Sequence, residues 1–98
     1  MTFEKKVTGD IAEIKLIGWL DTQNAPLLEE AMGELGAGVR ELVFDCSELE
    51  YISSSGLRQF VGAHRRMNGA LTLKNVPAKI MGVIAMTGLD KKLKFETE

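Results

Sequence analysis

The sequence has one cysteine among its 98 residues, so an internal disulfide is impossible. It also lacks a leader in which basic residues precede an apolar run and a small-residue cleavage site. Both absences favour a reducing compartment, and we expect the protein in the cytoplasm. Cys46 has no basic neighbour in the sequence, which favours a buried apolar role over a reactive thiol.

Long hydrophobic runs and excess positive charge are also missing. No apolar run approaches the ~20 residues of a membrane-spanning helix, so direct membrane insertion is not expected. The 12 Lys and Arg residues are outnumbered by 14 Asp and Glu residues, for a net charge of -2. Nucleic acid is therefore not an expected partner, because phosphate backbones are bound by clustered Lys and Arg.

The scarcity of histidine counts against hydrolytic chemistry. The single histidine, His64, falls within the apolar stripe of a predicted helix, and the sequence has no Gly-x-Ser-x-Gly motif that would present a serine nucleophile. Asp21 and Asp45 have no third ligand in a recognisable metal-binding pattern. We expect no catalytic residue, no bound metal and no cofactor.

The sequence does contain a regular alternation of strand-like and helix-like segments. Residues 3–8 and 11–16 alternate in polarity on either side of Gly9-Asp10, which predicts an antiparallel hairpin with an edge strand. The run "ELVFDC" has consecutive apolar residues, a pattern typical of a strand covered on both faces. Shorter strands are predicted around residues 71–73 and 92–96.

Three helices are predicted between these strands. The first has Thr22 or Asn24 as candidate caps, Pro26 in its first turn and Gly36 as a left-handed end. The second runs from the serines of "YISSSGLRQF" to Asn68-Gly69, and the third from Pro77 to Gly88. The alternation predicts a single α/β domain over residues 1–98, with a mostly parallel sheet, an antiparallel N-terminal edge strand and three to four helices.

The serine run presents more hydroxyl groups than a helix cap needs. It follows a predicted parallel strand and begins a helix, and the carboxyl ends of such strands are where sites usually lie in open α/β folds. A helix N-terminus also stabilises anions, so a phosphate on Ser54 would be well placed. The alternative is purely structural: Ser53 or Ser54 caps the helix and Gly56 eases the turn.

Three quoted segments resemble the STAS domain of bacterial anti-sigma-factor antagonists over nearly the whole chain. They are "GWLDTQNAPLLEEAM", "ELVFDCSELEYISSSGLRQFVGAHRRM" and "GALTLKNVPAKIMGVIAMTGLDKKLKF". The most specific part is the strand followed by Ser-Ser-Gly-Leu, supported by Leu20-Asp21 and by Thr87-Gly88-Leu89.

The resemblance implies signal transduction by partner switching in transcription regulation. In that family the unmodified antagonist binds an anti-sigma factor that is also a serine kinase; phosphorylation releases it, and a serine phosphatase resets it. The family's phosphoacceptor falls on Ser54, and an acidic residue beside it falls on Asp21. The residues expected around the phosphosite and at the partner surface are Asp21, Thr22, Ser53, Ser55, Gly56, Leu57 and Arg58.

One position departs from the family pattern. The residue before the acceptor is commonly aspartate, and here it is Ser53. A second interpretation of the same resemblance is a STAS module that is never phosphorylated and acts as a scaffold in a signalling or lipid-transport complex. In either case we expect a monomer or a weak dimer.

Overall fold

Strands and helices alternate along the chain as the sequence predicts. The structure is a computed structural model and describes residues 1–97. The strands are β1 (Thr2–Thr8), β2 (Ile11–Leu20), β3 (Glu41–Ile52), β4 (Leu71–Lys74) and β5 (Lys94–Glu96). The α-helices are α1 (Ala25–Gly33), α2 (Ser54–Arg66) and α3 (Ala78–Met86), and a 3-10 turn spans Leu89–Lys91.

The five strands form one sheet in the order β1-β2-β3-β4-β5. β1 is antiparallel to β2 through a turn at Gly9, whose φ is 61°, and the other neighbouring pairs are parallel. Each parallel crossover therefore moves one strand further in the same direction. Right-handed crossovers of that kind place all their helices on one face of the sheet. The fold class predicted from the sequence is confirmed.

The interpretation of β3 as a strand covered on both faces is wrong. Leu42, Phe44 and Cys46 are buried against the helices, whereas Val43 and Asp45 between them are only partly buried. The opposite face of the sheet carries no helix within residues 1–97. We call it the open face, and it bears two salt bridges, Lys15–Glu48 at 2.6 Å and Lys74–Glu13 at 3.1 Å.

β3 is also longer than the predicted strand, because it continues through residues 47–52 to the serine turn. Two irregularities in its pairing with β2, between Lys15 and Ile17 and between Gly18 and Trp19, shift the register. As a result Leu49 and Ile52 still face the core although they are three residues apart.

The helix ends match the predictions except at the end of α1. Pro26 lies in the first turn of α1, and Gly88 adopts the predicted left-handed conformation with φ 78°. Gly36 does not adopt that conformation. The helix ends at Gly33, where Glu34 N–H and Leu35 N–H bond to the carbonyls of Glu30 and Met32 and close the last turn without a left-handed residue.

Among residues 1–97, no helix combines the length and apolar character needed to cross a membrane. The buried side chains form one core, to which β2, β3, β4 and all three helices contribute. This core fixes the positions of the loops at the carboxyl edge of the sheet.

Candidate functional site

The serine turn lies where β2 and β3 end side by side. Leu20 is the last residue of β2 and pairs in register with Ile52, the last residue of β3. The Ser53 N–H donates to the Leu20 carbonyl at 2.9 Å and ties the two strand ends together. The α2 helix begins one residue later, so its first turn stands at the carboxyl edge of the sheet.

Ser53 is the N-cap of α2. Its backbone is extended (φ -96°, ψ 176°), and its Oγ accepts a hydrogen bond from the Gly56 N–H at 3.2 Å. This is the hydrogen bond that an N-cap side chain makes to an otherwise unpaired helix N–H. An aspartate side chain could accept the same bond, so serine and aspartate are both suited to this cap position.

Ser55 joins the turn to the loop after β2. The Arg58 guanidinium donates to Ser55 Oγ at 3.2 Å, and Ser55 Oγ lies 3.2 Å from Thr22 Oγ1. Because the serine oxygen accepts from arginine, its own proton is available to Thr22. Ser55 therefore has two side-chain partners and bridges α2 to the β2–α1 loop.

Ser54 differs from both neighbours. It is the first residue of α2, its side chain is exposed, and its hydroxyl makes no hydrogen bond to any of residues 1–97. Of the three serines, the structure thus leaves the middle one accessible and uncommitted.

Asp21 stabilises the start of α1. Its carboxylate accepts from the Asn24 N–H at 3.0 Å, and its carbonyl accepts from the Ala25 N–H at 2.8 Å. Asn24 is the N-cap residue of α1, one of the two candidates that the sequence suggested, but its side chain makes no capping hydrogen bond. The Asn24 side chain instead donates to the Trp19 carbonyl at 3.0 Å, and the Thr22 hydroxyl faces Ser55. Within the described chain, Thr22 and not Asp21 makes the hydrogen bond to the serine turn.

Gly56 and Leu57 support the turn from the core side. A Cβ on Gly56 would lie 2.7 Å from the Leu20 carbonyl oxygen and 2.7 Å from Ile52 Cγ1. Only glycine permits this approach of α2 to the strand ends. Leu57 is buried in the core and anchors the first turn of the helix. The exposed side chains of the predicted set are those of Thr22, Ser54 and Arg58, while Asp21, Ser53 and Ser55 are half-buried.

An aromatic pair next to the turn was missed by sequence reasoning. Trp19 and Tyr51 pair across β2 and β3 on the open face, with ring centroids 5.0 Å apart and exposures of 55% and 40%. Each lies two residues before a loop residue of the site, Asp21 and Ser53. The sequence does contain a signal for this pair. Trp19 and Tyr51 each precede an apolar residue, Leu20 or Ile52, that faces the core, and neighbouring side chains on a strand point to opposite faces.

The described residues favour neither a reactive thiol at Cys46 nor a metal site that includes Asp45. Burial, followed by the charge of Asp45, raises the pKa of the Cys46 thiol to about 12. Burial by itself would raise the pKa of Asp45, but hydrogen bonds from Ser47 and the charges of Lys74 and Lys15 hold it below its usual value. Residues 1–97 contain no group of three or more His, Cys, Asp or Glu arranged to hold a metal ion.

The cap at Ser53 can be tested separately from any function. Ser53→Ala should lower the free energy of unfolding by about 1 kcal/mol, because it leaves the Gly56 N–H without its partner. Ser53→Asp should unfold at nearly the wild-type denaturant concentration. Ser54→Ala is the matched control and should change stability little; equal losses at both positions would contradict the assignment of the cap to Ser53.

Comparison with known proteins gives consistent matches over the whole fold. A family model described as STAS domain matches residues 2–98. The anti-sigma-B factor antagonist of Bacillus subtilis (strain 168) is 28% identical over 80 residues, which cover 79% of this chain and 73% of that protein.

Solved structures share the fold at lower identity. SpoIIAA, an anti-sigma factor antagonist and Bacillus cell fate determinant, matches in its unphosphorylated form with TM-score 0.79 and 21% identity, covering 99% of this chain and 90% of that one. Its phosphorylated form matches with TM-score 0.66 and 23% identity, covering 99% and 93%. A sulfate transporter family protein from Wolinella succinogenes matches with TM-score 0.78 and 14% identity, covering 94% and 80%.

Proposed function

The chain belongs to the STAS domain family, and from this premise we propose that it is an anti-sigma-factor antagonist that acts by partner switching. Unmodified, it binds an anti-sigma factor that is a serine kinase. Phosphorylation of Ser54 releases it, and a serine phosphatase restores the binding form. The whole of residues 1–98 acts as one STAS domain in the cytoplasm, and its output is regulation of transcription.

One observation carries this proposal: Ser54 has the only uncommitted hydroxyl of the three in the turn. Ser53 accepts from the helix backbone, and Ser55 is bound to Thr22 and Arg58. A kinase that reaches this edge of the sheet finds Ser54 exposed, with no hydrogen bond within residues 1–97 to break before phosphoryl transfer. The similarity to SpoIIAA, whose structure is known in a phosphorylated form, supports phosphorylation as a state of this fold.

The local charges allow the fold to carry the phosphate. A phosphoserine adds about -1.5 to -2 charges, and the free N–H groups of a helix N-terminus stabilise an anion. Arg58 lies one turn further along α2 on the side of Ser55, four residues from Ser54, which is a spacing that brings side chains together on a helix. We therefore expect phosphorylation to change the surface and leave the fold intact.

The partner surface in this proposal is larger than the turn. It includes Thr22, Ser54 and Arg58 on the loop side and the exposed pair Trp19 and Tyr51 on the open face. Aromatic and arginine side chains of this kind contribute most of the binding energy in many interfaces. Adding a phosphate among them places new charge where partner and antagonist meet.

The proposal includes no catalytic activity of the chain itself. A serine nucleophile needs an adjacent base, and His64 lies near the far end of α2, three turns from Ser54. The described residues thus offer Ser54 as a substrate group and provide no base to activate it.

Peptide mapping after phosphorylation tests the proposal. With ATP and an anti-sigma kinase encoded next to this gene, we expect one phosphate per chain, located on Ser54. Ser54→Ala should remain unmodified, while Ser55→Ala should be phosphorylated to the same extent as the wild type. Phosphate found only on Ser53 or Ser55 would contradict the assignment.

A second candidate function is that of a scaffold subunit, because a sulfate transporter family protein shares the fold at 14% identity. In that case the domain is a scaffold and its serines serve only as caps and contacts. Resistance to every kinase encoded nearby, together with neighbouring genes for transporter subunits, would favour the scaffold.

A further inference from the structure

We infer that the outer edge of β1 is a self-complementary interface through which two copies of this chain pair antiparallel into one continuous ten-stranded sheet. β1 is the first strand in the sheet order, and none of residues 1–97 pairs with its outer edge. It is seven residues long and exposed along most of its length. An edge of this kind offers unpaired N–H and C=O groups to another strand.

The side chains of β1 select one register. A two-fold axis perpendicular to the sheet keeps the core side of both copies on the same face. Because side chains alternate between faces along a strand, an odd-numbered residue must then pair with an odd-numbered one and an even-numbered residue with an even-numbered one. When the axis passes through Lys5, Glu4 of each copy lies opposite Lys6 of the other, and Phe3 lies opposite Val7. When the axis passes through Glu4 or Lys6, two like charges face each other on the open face. Only the register centred on Lys5 places opposite charges next to each other on the open face and also pairs all seven residues of β1.

That register extends a pattern of alternating charges already present on the open face. Within one copy Glu4 pairs with Lys15 and Lys6 pairs with Glu13, while salt bridges join Lys15 to Glu48 and Glu13 to Lys74. Across the two-fold axis the row continues without a like-charge neighbour: Lys74, Glu13 and Lys6 of one copy, then Glu4, Lys15 and Glu48 of the second copy.

The core side of the edge is also complementary. Val7 is 56% exposed, and a groove lies beside Phe3, lined by Met1, Lys5, Leu27, Glu30, Ala31 and Glu34. Pairing places Val7 of the second copy next to Phe3 at this groove. The two Lys5 side chains meet at the axis, but each already forms a 2.5 Å salt bridge with Glu34 of its own copy, which offsets their mutual repulsion.

Charge reversal tests the interface by sedimentation velocity. The wild type should show a monomer–dimer equilibrium, and Lys6→Glu should raise its dissociation constant at least ~10-fold. The double change Glu4→Lys with Lys6→Glu restores opposite charges across the axis and should recover dimerisation. Lys94→Glu on β5, at the other edge, is the matched control and should have no effect. Lys6→Glu places a like charge opposite Glu13 of the same copy, and the double change also places one opposite Lys15, so thermal melts should show modestly lower melting temperatures for both. Recovery of dimerisation in the double variant, despite its lower stability, separates the interface from this intrachain effect.

Disulfide trapping tests the register directly. The axis brings the two Cα atoms of residue 5 to about 4.5–5.5 Å, within the range that a disulfide spans. Lys5→Cys should therefore form covalent dimers on oxidation, whereas Lys6→Cys should not, and the buried Cys46 should not compete. A wild type that remains monomeric up to ~1 mM, Lys6→Glu and Lys94→Glu variants that behave alike, or equal trapping at positions 5 and 6 would each overturn the inference.

Discussion

Ser54→Asp is expected to weaken binding to the anti-sigma kinase by roughly 100-fold while leaving the melting temperature nearly unchanged. Like charges brought together in a partly desolvated interface can cost several kcal/mol, and a loss of ~3 kcal/mol already corresponds to that factor. The fold should tolerate the charge because Ser54 is exposed at the N-terminus of α2.

Calorimetric titration and thermal melts of the same samples check this prediction. Asn68→Asp is the matched control, since it adds one negative charge at an exposed position beyond the other end of α2. It should bind as the wild type does. Wild-type affinity of Ser54→Asp, or a loss of binding that accompanies unfolding, would show that charge at this turn is not the switch.

Gly56→Ala is expected to destabilise the domain more than alanine at any other of its glycines. The added Cβ would lie 2.7 Å from the Leu20 carbonyl oxygen and from Ile52 Cγ1. The carbonyl cannot simply move away, because the Ser53 N–H holds it at 2.9 Å. Overpacking of this kind typically costs about 1–3 kcal/mol, which lowers the melting temperature of a domain this size by roughly 4–8 °C per kcal/mol.

Gly62→Ala on the same helix is the matched control. Gly62 is exposed in the interior of α2, and nothing lies within 4 Å of a Cβ built there. Alanine should stabilise the helix by up to about 1 kcal/mol. The urea concentration at the midpoint of unfolding should therefore fall for Gly56→Ala and rise for Gly62→Ala. A Gly56→Ala protein as stable as the wild type would mean that the turn can shift away from Leu20.

The strand and helix order was predictable because each element has a local signal. The hairpin at Gly9, Pro26 in the first turn of α1 and the left-handed Gly88 depend on backbone preferences that act over a few residues. The position of the serine turn also follows from chain order, since a helix after a parallel strand must begin at the carboxyl edge of the sheet.

The missed features depend on contacts between distant residues. Whether Val43 is covered depends on which face receives the helices, and that follows from the direction of every crossover in the sheet. Thr22 and Ser55 are 33 residues apart, so no local pattern shows that the threonine bonds to the serine turn and leaves capping to Asp21. The roles of the three serines likewise became distinct only once their partners were located.

The most direct test of partner switching is to follow dissociation of a preformed complex between this chain and its anti-sigma kinase after ATP is added. The fraction of complex that remains and the fraction of Ser54 that is phosphorylated are measured in the same samples. The proposal predicts that the complex disappears in step with Ser54 phosphorylation, and that a complex made with Ser54→Ala persists. A complex that stays intact with Ser54 fully phosphorylated, or a Ser54→Ala complex that dissociates at the wild-type rate, would contradict it.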